Sequence, residues 1–230
     1  MESNILSPSI DRRLSELIDR DRRPPAPVQT KKPLTLCLSR KYGCEAYPLA
    51  EILEARLEER TQQNWLILDK VLLDKIAEDR GLSKQILESI GNSPTYIDLL
   101  LAPLMKNWVS ASQAFRLILQ YILRFAEEGN TIIIGRGGSI ITQDKANCFH
   151  FRLDAPLSFR VESIARRLNL PLDEAHDMVV KNEKKREEFV NAYFHRDVTD
   201  VSLYHSVYNN AKSPIENIAD SILALLEPHL

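Results

Sequence analysis

Four short apolar runs, each closed by a loop and three of them followed by a segment of helical character, limit the fold of this chain more than any other feature. LTLCLS at 34–39 sets Leu34, Leu36 and Leu38 against Thr35 and Cys37, the alternation of a short strand. RKYGCEAY breaks that run, and from Pro48 onward Leu49, Ile52, Leu53 and Leu57 recur at helical spacing. The run at 65–68 ends at Asp69, after which Leu72, Leu73, Ile76 and Ala77 share a helical face. TIII at 131–134 closes on Gly135-Arg136-Gly137-Gly138. The run at 149–153 leads to Asp154, expected as a helix N-cap, with Pro156 just inside the helix.

Residues 82–128 read as mostly helical, interrupted near 91–94 and at Pro103. Within them Ala114, Phe115, Ile118, Leu119, Ile122 and Phe125 form a buried stripe. A fifth strand is expected at 204–208. Ser213, Pro214 and Glu216 spell a capping box for a last helix whose buried face is Ile215, Ile218, Ala219, Ile222, Leu223 and Leu226. Strands separated by helices require crossover connections, so the expected fold is a three-layer α/β domain around a mainly parallel sheet. Ligands of such sheets bind outside the carboxyl ends of the strands, here at 39–43, 69–70 and 135–138.

A chain of 230 residues with 44% apolar and 27% charged residues suits one domain, expected at 33–230. Residues 1–32 read as an N-terminal extension, with a short helix around Leu14 to Ile18 and an extended stretch at Pro24, Pro25 and Pro27. Thirty Lys and Arg against 32 Asp and Glu leave a charge of −2, too small for a general field that gathers a nucleic-acid polymer or an anionic membrane. A local basic site stays open. Cys37, Cys44 and Cys148 match no zinc spacing and suit a reducing cytosol. The histidines form no HExxH pattern, so no metal centre is expected. No apolar run reaches 18 residues and the start has no signal-peptide character, so a cytoplasmic location is expected.

Each candidate residue carries two readings. Ser39, Arg40, Lys41 and Gly43 follow the first strand and precede a helix, where amides and a helix dipole hold anions; the alternative is a solvated turn, and GxxxxGK[ST] is absent. Arg136, between glycines, either presents its donor fork to a ligand or pairs with a neighbouring carboxylate. Asp69 either orients a hydroxyl or a magnesium-bound water, or caps the helix that follows. Arg160, Arg166, Arg167 and Arg186, with Lys181, Lys184 and Lys185, lie on two helical segments within 155–195 that either fold over polyphosphate as a lid or form a solvated hairpin.

LTLCLSRKYG, WLILDKVLLDKIAEDRGLS, IIIGRGGSII, FRLDAPLSFRVESIARRLNLPLDEA, KNEKKREEFVNAYFHRD and LYHSVYN, in that order, resemble the segments of the cytidylate kinase-like family of nucleoside monophosphate kinases. The resemblance spans about 34–226. It implies a P-loop kinase-like fold with a helical lid, and transfer of a phosphoryl group from magnesium ATP to a small nucleotide monophosphate, cytidylate first. By that resemblance Ser39, Arg40 and Gly43 border the donor phosphates, with Arg166 beside them. Asp69 and Arg136 face the acceptor, while Arg160 and Arg186 act from the lid on the transferring group. A homodimer is compatible with the helical insertion. The chain departs from the family pattern at 43–48, where GCEAYP replaces a Gly-rich loop, and at Asn182, where related chains often carry Asp. Those departures define the competing class, a nucleotide-binding or protein-interaction module without efficient transfer.

Overall fold

The computed structural model describes residues 10–21, 32–78 and 113–230. In chain order it contains helix α1 (Ile10–Asp21), strand β1 (Thr35–Arg40), α2 (Ala46–Thr61), β2 (Leu66–Leu68), α3 (Lys70–Glu78), α4 (Gln113–Glu128), β3 (Thr131–Ile134), α5 (Gly138–Ile141), β4 (Cys148–Asp154), α6 (Leu157–Leu168), α7 (Leu172–Phe194), β5 (Ser206–Asn209) and α8 (Ile215–Leu226). The five strands form one sheet in the order β2-β3-β1-β4-β5, every pairing parallel. Leu36 pairs with Ile132 on one side and Phe149 on the other. β1 is therefore central, and the strand order reverses beside it.

Strand alternation sorts the core into two layers. Leu36, Leu38, Ile67, Ile132, Ile134, Phe149 and Phe151 face α2 and α8, packing on Leu49, Leu53, Ile218 and Ile222. Cys37, Leu66, Leu68 and Ile133 face the other way, toward Leu72 of α3, Leu119, Ile122 and Phe125 of α4, and Phe194 of α7. This is the expected division of Leu36 and Leu38 from Cys37. The expected strand at 204–208 begins later, at Ser206, because Tyr204 is turned to bond Val198 and approach Ser39.

Two capping expectations fail. Pro156 and Pro214 themselves occupy the N-cap positions, with ψ near 150° and no side-chain cap bond. Asp154 is drawn instead into ion pairs with Lys41 at 3.0 Å and Arg152 at 3.9 Å, since charge attraction across the strand ends outweighs a cap. Ser213 falls one residue short of the cap, its amide donating to the Asn209 carbonyl at 3.0 Å. The helical reading of 82–112, the side chains of Ile76, Ala77, Ala114 and Phe115, and Pro24 to Pro27 lie outside the described residues.

Within the segment read as an extension, α1 packs on the domain. Leu17 is buried with Leu72 and Leu119, Arg13 pairs with Asp69 at 3.0 Å, and the Arg13 guanidinium lies 5.3 Å from the Tyr47 ring centre. An amphipathic helix buries its apolar stripe wherever a complementary surface exists.

His150 is buried in β4, its Nε2 2.9 Å from Thr142 Oγ1 and its ring 5.5 Å from that of His205. Burial, then His205, lowers its pKa from 6.5 to about 4. The unfolded chain therefore binds the proton more readily, so this contribution is complete above the unfolded pKa and is lost as pH falls toward the folded one. Denaturant melts should lose about 2 kcal/mol between pH 7 and 5 from this site. His150→Gln should flatten that limb; an unchanged slope would assign acid lability elsewhere.

Candidate active site

The carboxyl ends of β1, β3 and β4, together with α7, enclose a cleft of about 460 Å³. Among the described residues four arginines line it: Arg40 at the end of β1, Arg136 in the loop after β3, Arg152 in β4 and Arg186 in α7. Lys70 and Lys185 are also at its wall, as are Glu183 and Glu187. Parallel strand order puts these loops together, because the chain must leave β1 toward one side and return through β3 and β4 on both.

Arg40 is the centre of the charge. Its guanidinium lies in the notch left by Gly135, where a Cβ would come within 1.8 Å of Nη1. Burial, then Arg186, pushes its pKa well below the usual guanidinium range; Asp69 and Glu183 oppose the shift and Arg136 adds to it. Among the described residues no hydrogen bond or ion pair holds this guanidinium. Arg186 is likewise lowered by burial, offset by Glu183 and Tyr42; it donates to the Arg40 carbonyl at 3.4 Å and stacks 5.0 Å from the Tyr42 ring centre.

The loop after β3 is built from three successive left-handed residues, Gly135 (φ 72°), Arg136 (φ 52°) and Gly137 (φ 73°). Glycine takes that region freely, whereas for Arg136 it costs on the order of 1 kcal/mol. The turn carries the Arg136 guanidinium over the Phe189 ring at 5.4 Å. Gly137 leaves room for the Phe194 ring, which a Cβ would approach to 2.2 Å.

The loop after β1 is different from a phosphate cradle. The Tyr42 amide donates to Glu183 Oε2, and Gly43 (φ 98°) is pressed against the backbone of Arg160. The Glu45 amide donates to Asn210 Oδ1 at 2.8 Å. Cys44 is buried, its thiol pushed up to about 12 chiefly by desolvation.

Of the residues expected to act, Arg40, Arg136, Arg186 and Ser39 meet in the cleft. Asp69 lies outside its lining: the carboxylate accepts the Leu72 amide at 2.9 Å and pairs with Arg13, the helix-capping alternative. Arg160 also lies outside it, donating to the Ala155 carbonyl at 3.1 Å and the Tyr42 carbonyl at 3.1 Å, so it braces the first loop. Arg166 pairs with Glu45 at 3.0 Å on the surface. Sequence reasoning missed Arg152, whose Nη1 donates to Ser39 Oγ at 3.2 Å and whose guanidinium lies 5.8 Å from the Tyr204 ring centre. A charged residue inside FHFRLD, alternating with Phe151 and Leu153, was the available signal. It also missed Glu183, for which no motif exists. No group of three or more metal-ligating side chains occurs among the described residues, and no described helix is long and apolar enough to cross a membrane.

The family model described as the cytidylate kinase-like family matches residues 35–212. The chain is similar to the cytidylate kinase of Pyrococcus horikoshii, 26% identical over 159 residues that cover 64% of this chain and 81% of that protein. It is 25% identical to the cytidylate kinase of Staphylothermus marinus over 161 residues, 70% of this chain and 80% of that one. A shorter match to the Halorubrum lacusprofundi cytidylate kinase, 32% identical over 81 residues, covers 35% of this chain and only 42% of the relative. Among solved structures, an uncharacterized protein from Eubacterium ventriosum shares the fold, with a TM-score of 0.63 and 18% identity, covering 86% of this chain and 99% of that one.

Proposed function

The chain belongs to the cytidylate kinase-like family, and from that premise we propose that its cleft binds a nucleoside monophosphate, cytidylate first, as acceptor of a phosphoryl group. The observation that carries this reading is Arg40, a desolvated guanidinium that, among the described residues, no hydrogen bond or ion pair holds and that the charges of Arg186 and Arg136 oppose. A cluster of like charges in a cleft is stabilised by a bound anion, and a phosphate with its charged oxygens matches the donor forks. In this arrangement Arg40 and Arg136 hold the acceptor phosphate while Arg186 reaches the transferring oxygens from α7, balancing charge and fixing orientation. The apolar wall of Ile140, Phe189 and Val190 supplies a surface for the nucleoside.

The donor side is less well matched. ATP with magnesium is the donor that the family relation supports, yet the loop after β1 has its Tyr42 amide engaged by a carboxylate and offers no lysine after Gly43. In this conformation it does not fit polyphosphate. The same observation favours a second reading, a nucleotide-binding module without efficient transfer.

Turnover across a panel of nucleoside monophosphates with magnesium ATP separates the two. Product above a no-enzyme control supports transfer; affinity without product supports the module. Arg136→Ala should raise the Kd for cytidylate roughly tenfold or more, the effect of losing a charged hydrogen bond of about 1.5 kcal/mol. Arg136→Lys should recover part of it, since an ammonium lacks the planar donor pair. Unchanged affinity in a folded Arg136→Ala protein, titrated by calorimetry, would leave its role to the loop alone.

A further inference from the structure

We infer that Glu183 is a built-in anion that occupies the phosphate loop of the unliganded protein and must be displaced before a polyphosphate can bind there. The inference rests on the reading of the cleft as a nucleotide site, and it accounts for the misfit of the first loop.

Helix α7 grips residues 40–42 with two side chains one turn apart. Glu183 accepts the Tyr42 amide, and Arg186 lies over the Tyr42 ring at 5.0 Å while donating to the Arg40 carbonyl at 3.4 Å. Residues three apart on a helix share a face, so the pair acts as one clamp. The carboxylate is itself enclosed, its side chain 16% exposed, and Arg160 Nη1 lies 3.7 Å from it. Arg160 also donates to the Tyr42 carbonyl, so both sides of the Tyr42 peptide are tied to this cluster. An amide donor after a strand, a guanidinium within reach and a helix beginning at Ala46 are the elements that bind phosphate oxygens. Here a carboxylate oxygen takes the amide. Carboxylate and phosphate oxygens compete for one donor, and Glu183 held in place would also repel an incoming anion. Its negative charge simultaneously offsets those of Arg40 and Arg186, for which it opposes the lowering caused by burial. Release from the loop would free the Tyr42 amide and leave the arginines to the ligand.

The test uses the full chain and two probes, inorganic tripolyphosphate and magnesium ATP, titrated by calorimetry. Glu183→Gln keeps an oxygen acceptor but no charge, and Glu183→Ala removes both. Glu188→Gln removes the same charge from an exposed position on α7. Both Glu183 variants should bind each probe at least tenfold more tightly than wild type, with Glu188→Gln within twofold. In the absence of ligand, hydrogen exchange at the Tyr42 amide should be at least tenfold faster in Glu183→Ala. In wild type, saturating tripolyphosphate should speed exchange in residues 180–187 as Glu183 leaves the loop, a readout that needs no variant. Equal affinities with and without Glu183 would overturn the latch and leave the nucleotide reading intact. No binding of either probe by any variant would overturn both the latch and the donor role, while cytidylate binding would still report on the acceptor site. Weaker binding in folded Glu183 variants would make Glu183 a support of the site and overturn the latch.

Discussion

Arg40→Met should weaken cytidylate binding about a hundredfold, roughly 3 kcal/mol, while raising the melting temperature of the unliganded protein. The two effects have one cause. Arg40 is desolvated beside Arg186 and Arg136 and, among the described residues, no side chain or carbonyl accepts from its guanidinium. Burial beside like charges is unfavourable for this guanidinium, and a bound anion would offset it. Methionine fills a similar volume against Gly135 without the charge, and replacing a buried ion by an apolar side chain commonly stabilises. A gain of about 1 kcal/mol would appear as a rise of about 2 to 4 °C for a chain of this size. Calorimetry with cytidylate and a thermal melt read the two sides separately. Unchanged affinity would remove Arg40 from the site, and a lowered melting temperature would mean that structural contacts, not ligand, hold its guanidinium.

Gly43→Ala should lower stability by about 3 kcal/mol, a fall of roughly 6 to 12 °C in melting temperature. Gly43 has φ 98°, and a Cβ there would stand 2.6 Å from Arg160 Cβ, 2.7 Å from its carbonyl oxygen and 2.9 Å from its Cα. Two of those atoms are backbone of α6, which cannot swing aside as a long side chain does, so strain of conformation and overpacking add. Urea melts on the two proteins measure the difference. A loss below about 1 kcal/mol would show that α6 shifts freely from the loop, in which case the brace from Arg160 to the Tyr42 carbonyl is weak as well.

These two glycine and arginine positions show where sequence reasoning succeeded and stopped. Gly43 was singled out by its place between the first strand and a helix and by the resemblance, which sets it beside the donor phosphates; in the structure it allows the close approach of Arg160. Arg136 and Arg40 were found because both follow strand runs that end in a loop, and parallel strands end on one side of the sheet. Arg160 and Arg166 were grouped with Arg186 by helical position, yet Arg160 turns inward to the Ala155 and Tyr42 carbonyls and Arg166 outward to Glu45. Periodicity places a residue on a helix face but does not say which element that face meets. Asp69 was legible in both of its roles, and the contact that only the fold supplies is the ion pair its capping carboxylate makes with Arg13, 56 positions earlier.

By itself the sequence determined the layer structure. Apolar runs of period 2 alternating with apolar stripes of period 3.6 can bury both patterns only as a parallel sheet between helices, and Leu36, Leu38 and Cys37 divide between the two cores as their alternation requires. It also determined that loops carrying Arg40 and Arg136 would share one edge. The tertiary structure alone decided which charges converge and which are cancelled. Arg152 entered the cleft because β4 pairs with β1 in a register that sets it opposite Ser39. Glu183 reached the Tyr42 amide, 141 positions away, because α7 folds back across the strand ends. Such contacts depend on the distance between side chains brought together from separate elements, and electrostatic energy falls off with that distance, not with separation along the chain.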